Sequence, residues 1–216
     1  MHTSKITDSS SENRPFYIAR RTRLSLERPN YRDPQSVVDE LTQNTSQGTK
    51  VLFASSNLDD FFIRLATMED VPALRMLLNA AYKQLADSGL NFTAAYQDDA
   101  GTAHGIEKGR TFVLELADRL VATVRVRIEN LHDDHHCLYI SRFGVLPELQ
   151  GHGIGLRLLH FAEHIARREG YPSLRLDTAK PAEHLVRFYQ SQGFQIVGPI
   201  QYEGKTYSSW ILEKYI

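Results

Sequence analysis

Three scarcities narrow the reading of this chain before any motif is considered. It has a single cysteine, Cys137, almost no net charge and no long apolar run. A lone cysteine cannot close an internal disulfide, so the fold needs no oxidising compartment. A formal net charge of −1 over 216 residues gives no global basis for binding nucleic acid or an anionic membrane surface. No apolar stretch approaches bilayer-spanning length. The opening residues, MHTSKITDSSSENR, have no apolar core and do not read as a secretory signal; Asp8 and Glu12 argue against a transit peptide. The expectation is a cytoplasmic protein without nucleic-acid or membrane partners. Apolar residues at 42% and charged residues at 24% are ordinary for a globular chain, and the length suits one domain with an appendage.

The appendage is residues 1–60. Its first ~14 residues are polar and Ser-rich, and read as disordered. FYIARRTRL at 16–24 reads as a strand with a basic end. Arg20, Arg21, Arg23 and Arg28 cluster there as a solvated surface. Asp33-Pro34 forms an N-cap and first helical position for a short helix through VVDELTQ, and TKVLFAS reads as a strand.

From Phe61 the pattern firms up. FFIRLA is a short strand. Pro72 lies in the first turn of a helix whose Leu74, Leu77, Leu78, Ala81 and Leu85 share one face, and Gly89 stops it. The stretch 91–109 holds a shorter helix and a loop. TFVLEL and LVATVRVRI are strands joined at Ala117-Asp118-Arg119. His132, Asp133, Asp134, His135 and His136 sit consecutively in a polar loop. They lack the spacing that converges side chains on one ion, so no metal site is expected. IGLRLLHFAEHIARREG is an amphipathic helix ended by Gly170. SLRLDT is a strand, PAEHLVRFYQSQ a helix, and FQIVGPI and TYSSWILEK two closing strands. The order strand, helix, helix, three strands, helix, strand, helix, two strands is that of a mixed α/β domain.

The stretch Leu138 to Gly155 organises the rest. A run of strand length passes through Pro147 into Gln150, Gly151, His152, Gly153, Ile154 and Gly155, and then directly into a helix. A glycine turn there places orphan N–H groups and the positive end of the helix dipole toward one point, which suits an anion. The spacing is not that of a P-loop, because no Lys-Ser or Lys-Thr closes it. Nor is it a dinucleotide fingerprint, because the third glycine would fall at Leu156.

Gln150-x-x-Gly153-x-Gly155 resembles the Q/R-x-x-G-x-G/A pattern of the GNAT superfamily of N-acetyltransferases, and FYQSQGF at 188–194 matches a second local run of that family. The resemblance covers residues 61–216. It implies one GNAT-type domain with a central, mostly antiparallel sheet flanked by helices, preceded by the N-terminal extension. It implies acetyl-CoA as co-substrate, its pyrophosphate on Gln150, Gly151, His152, Gly153, Ile154 and Gly155. Its pantetheine would lie along the backbone of Phe143 and Val145, where the strand ending at Val145 bulges and parts from the strand 174–178. Tyr189 matches the family's general acid; a phenol near pKa ~10 is protonated at neutral pH and can donate.

The residues also set limits. The strand 138–145 carries no carboxylate to act as base, which leaves Glu115 and Asp177, at strand ends, to act through water or to be plain surface or capping groups. The family's cofactor-contacting Asn falls on Ala182. Cys137 reads as a small core hydrophobe, not as an acyl-carrying nucleophile. The acceptor side is expected within residues 82–110, where Tyr82, Asn91, Phe92, Tyr96, Asp98 and Asp99 would meet a cationic amine. The expected activity is acetyl transfer from acetyl-CoA to a primary amine of a small molecule or protein, by direct attack in a ternary complex. A non-catalytic CoA-binding module and a transferase of longer acyl groups are the alternatives, and a homodimer is left open.

Overall fold

The computed structural model describes residues 51–52, 61–116, 118–131 and 136–216. The strand and helix expected within residues 16–43, the arginine cluster and His132 to His135 lie outside the described residues. A short strand β1 (Val51–Leu52) precedes β2 (Phe61–Leu65), α1 (Val71–Asp87), α2 (Asp99–Glu107), β3 (Arg110–Leu116), β4 (Arg119–Asn130) and β5 (His136–Val145). Then follow α3 (Ile154–Glu169), β6 (Ser173–Ala179), α4 (Glu183–Ser191), β7 (Gln195–Ile200) and β8 (Ser209–Tyr215). The order expected from Phe61 onward is present in full.

Among the described residues, the strands form one eight-stranded sheet in the order β1-β2-β3-β4-β5-β6-β8-β7. Every pairing is antiparallel except β5 with β6. The strand expected in TKVLFAS is β1, which pairs Val51 with Ile63 and Leu52 with Phe62 and so extends the sheet edge.

The helices cover the sheet for the reasons their sequences give. Pro72 fits the start of α1, where its missing N–H has no helical partner to lose. Leu74, Leu77 and Leu78 are buried at three- and four-residue spacing. In α3, Ile154, Leu158, Phe161, Ala162 and Ile165 are buried as one stripe, and Gly170 at φ 75 ends the helix with its N–H on the Arg167 carbonyl. Burying each large aliphatic side chain contributes about 1.5–3 kcal/mol. Among the described residues, no helix is long and apolar enough to cross a membrane.

Candidate active site

The site begins at a fault in the sheet. Thr123 of β4 pairs with Gly144 of β5, and Arg125 with Ser141, so Arg142 and Phe143 together oppose Val124. This is a β-bulge, which bends the strand and re-aims its side chains. Arg142 lies at φ 50, a left-handed conformation that costs a non-glycine residue roughly 1–2 kcal/mol. Two side chains hold the bulge. Arg142 donates from Nε to Gln97 Oε1 across 2.9 Å, and the Tyr82 hydroxyl of α1 donates to the Phe143 carbonyl across 3.0 Å. Burial pushes the Tyr82 phenol up to about 12, which keeps it a donor. Gly144 lets α1 approach, since a Cβ there would lie 3.1 Å from the Ala81 methyl.

Beyond the bulge the sheet splits. β5 and β6 pair only at Leu138 with Leu174 and at Tyr139 with Arg175. The later residues of both strands line one cleft of about 1080 Å³, β5 with Phe143, Gly144 and Val145, and β6 with Leu176, Asp177 and Thr178. The cleft reaches the glycine turn at Gln150, Gly151, Gly153 and Gly155. The Gln150 Nε2 donates to the Val145 carbonyl across 3.1 Å and ties the turn to the strand end. The His152 ring nitrogen Nδ1 lies 3.0 Å from the Gln150 carbonyl. Gly151 and Gly153 both adopt φ 79, and a Cβ on either would meet nothing within 4 Å, so an anion can reach this backbone unobstructed. Ile154 and Gly155 open α3, whose first N–H groups have no helical acceptor.

Tyr189 of α4 stands where the cleft passes the bulge. Its ring packs on Phe143, Phe188 and Phe194, with centroids 6.2, 5.2 and 5.8 Å away. Burial holds its phenol protonated, and the nearby Tyr82 and Asp177 act in the same direction. The hydroxyl has no hydrogen-bond partner among the described residues, although its ring is 7% exposed and lines the cleft.

The stretch that carries the parting strands, the bulge and the open glycine turn has a match among known families. Residues 73–194 match the family model described as the Acetyltransferase (GNAT) family. The chain belongs to this family. It is an acetyl-CoA-dependent N-acetyltransferase. It is 29% identical to the S-alkylcysteine N-acetyltransferase of Bacillus subtilis over 143 residues, which span 64% of this chain and 80% of that one. In structure it resembles a PaiA N-acetyltransferase of Thermoplasma acidophilum solved with coenzyme A, at TM-score 0.59 and 19% identity, covering 73% of this chain and 99% of that one. It also resembles Naa50 of Arabidopsis thaliana in complex with a bisubstrate analogue, at TM-score 0.55 and 21% identity, with 73% and 99% covered. These structural likenesses carry the fold alone.

The unobstructed glycine turn and the split sheet suit the pyrophosphate and the pantetheine arm of acetyl-CoA. The GNAT position commonly filled by Asn is Ala182, 2% exposed and packed with Leu90, Ala179 and Tyr207. It offers no side-chain polar contact.

The two carboxylates singled out as bases separate clearly. Glu115 is held by Arg64, which also binds Asp70, and it does not line the cleft. Asp177 is the one carboxylate among the described cleft residues, and accepts from the Tyr139 hydroxyl and, at 3.4 Å, from Tyr202.

The acidic acceptor side expected from the sequence is not what the structure shows. Tyr82 and Phe92 do line the cleft. Asp98 instead caps α2 by accepting from the Gly101 N–H, and Asp99 pairs with Arg75 on the surface. Tyr96 is 68% exposed, and Asn91 binds the loop at Gly204 and Thr206. The residues that do face the cleft there are Arg125, Arg127, Arg142 and Lys205. The sequence marks LVATVRVRI only as an alternating strand. Only the position of β4 between β3 and β5 marks its arginines as unusual.

Proposed function

We propose that this GNAT enzyme moves the acetyl group to a primary amine by direct attack, with Tyr189 as general acid and Asp177 receiving the amine's proton through water. The bound acetyl-CoA supplies an acetyl thioester whose C–S bond breaks as the new C–N bond forms. The backbone of Phe143 and Val145 aligns the pantetheine arm, while the turn from Gln150 to Gly155 holds the pyrophosphate. Asp177 accepts the proton that leaves the amine nitrogen. Tyr189 gives its hydroxyl proton to the departing sulfur, a donation worth ~10²–10⁴ in rate. The observation that carries this reading is the Tyr189 hydroxyl, which has no hydrogen-bond partner among the described residues, belongs to a side chain lining the cleft, and is kept protonated by the burial of that residue.

Cys137 has no part in this reading. It is 0% exposed, and its thiol is pushed up to about 11 by burial, with Glu129 adding to the effect. The non-catalytic alternative rests on the missing base of β5 and on alanine at position 182; Asp177 in the cleft supports the catalytic reading against the first of these. The acetyltransferase unit in this reading is residues 61–216, with residues 1–60 an extension to it.

Initial-rate kinetics with both substrates varied test the route. Intersecting reciprocal plots, with no acetylated protein detected by mass spectrometry after acetyl-CoA alone, are expected. Parallel plots with a covalent acetyl-enzyme would overturn it.

A further inference from the structure

The cleft contains more positive charge than its own carboxylate can balance. Among the described residues, Arg125, Arg142 and Lys205 line it without any carboxylate partner. Arg125 donates from Nε to Ser141 Oγ across 3.0 Å, Arg142 to Gln97, and Lys205 to the Asn91 carbonyl and Thr93 hydroxyl at 2.6 and 2.8 Å. All of these acceptors are neutral. Arg127 differs: it lies 3.5 Å from Glu129 and stacks over the Tyr139 ring.

The register explains why these groups meet. Arg125 pairs with Ser141 and Arg127 with Tyr139, while Tyr139 pairs with Arg175, two residues before Asp177. Paired and alternate positions share a face, so these side chains rise from one side of the sheet. The bulge adds Arg142 to the same side, toward Gln97. Half-buried cations are costly when unpaired. Arg125 shows that cost: burial, then Arg142 and Arg127, push its guanidinium down to about 10. Lys205 is lowered by burial and by Arg142, and feels Asp177 as an opposing charge. Positive and negative groups are thus within electrostatic reach of one another in a single cleft.

The geometry points to an acceptor that carries a carboxylate beside its amine: a free α-amino acid whose carboxylate is taken by Arg125, Arg142 and Lys205 while its ammonium faces Asp177. Arginine suits the first task because its donors match a carboxylate in plane. The apolar wall of Leu85, Leu90, Phe92, Leu185 and Tyr207 in the same cleft favours an apolar side chain on that amino acid. A protein or peptide N-terminus has an amide where the carboxylate would be, and so leaves these cations unpaired.

This inference rests on the acetyl-transfer reading, and the test separates the two. The full chain is assayed with acetyl-CoA against the L-α-amino acids, S-methyl-L-cysteine included, and against the methyl ester of each. The best acid is expected to exceed its ester about 100-fold in kcat/KM, since the ester strands the cations. In Arg125→Gln and Arg142→Gln that ratio should fall toward one, chiefly through KM, with Arg142→Lys restoring part of it. In parallel, calorimetry on the CoA-saturated protein compares N-acetyl-S-methyl-L-cysteine with its methyl ester. Turnover that treats acids and esters alike, or no acid turned over or bound, overturns the inference while acetyl transfer to other amines stands. Selective binding of the N-acetyl acid without any turnover supports the inference and refutes the transfer reading.

Discussion

The Tyr82 hydroxyl donates to the Phe143 carbonyl across 3.0 Å, and so ties α1 to the backbone of the bulge along which pantetheine is proposed to lie. Tyr82→Phe keeps the ring and its contact with Phe92, 5.4 Å between centroids, but strands the carbonyl. A lost hydrogen bond of this kind costs about 1 kcal/mol. The expected outcome is a small fall in melting temperature and a fall in kcat of roughly 10-fold or more, because the reacting groups lose alignment. A lowered melting temperature with wild-type kcat would show that the bond supports the fold without positioning the site.

Gly153→Asp tests the turn. The added Cβ meets nothing within 4 Å, so the only structural penalty is the left-handed φ of 79, roughly 1 kcal/mol. The carboxylate, however, stands where the pyrophosphate is placed. Calorimetry should show the Kd for acetyl-CoA rising at least about 100-fold with the fold retained by circular dichroism. Unchanged affinity would move the phosphate site elsewhere.

The Arg64, Asp70 and Glu115 network predicts an acid-side stability change. Burial alone would raise the Asp70 carboxyl, but hydrogen bonds from Arg64 and from the Thr67 N–H outweigh it and hold the group below its ordinary 3.8. A carboxyl with a depressed folded-state value stabilises the protein above its unfolded value and loses that contribution as pH falls through the folded one. Melting curves of the wild type should therefore decline below pH ~4. Asp70→Asn should lower stability at pH 7 by about 1.5–3 kcal/mol and weaken the pH dependence below pH 4. A variant that melts like the wild type at pH 7 would show that the network contributes nothing.

A chain beginning at Asn57 lacks β1 and exposes the β2 edge. It should bind acetyl-CoA with unchanged affinity, since no described cleft residue precedes Ala81, at some loss of solubility from the bare edge. Loss of binding would show that the extension belongs to the catalytic unit.

The order of elements from Phe61 was legible because each carries its own period. Leu74, Leu77 and Leu78 repeat at helical spacing, and LVATVRVRI alternates. The glycine turn was legible because Gly151 and Gly153 occupy positive-φ positions that favour glycine. The acceptor side was not. Asp98 and Asp99 look available in sequence, yet one is consumed by a helix cap and the other by Arg75. The bulge itself follows from the family resemblance, but that it carries Arg142 into the cleft does not, since the positive-φ residue is the arginine itself. Lys205 arrives from a loop over sixty residues further along the chain, so only tertiary structure brings it beside Arg142.

The central claim is that the free hydroxyl of Tyr189 protonates the departing sulfur, and Tyr189→Phe tests it most directly. The substitution keeps the ring among Phe143, Phe188 and Phe194 and removes only the donor. Because that hydroxyl has no partner among the described residues, melting temperature and acetyl-CoA affinity should hold, while kcat falls ~10²–10⁴-fold, about 3–5 kcal/mol in the barrier. Wild-type kcat in Tyr189→Phe, measured together with unchanged acetyl-CoA affinity, would contradict the account.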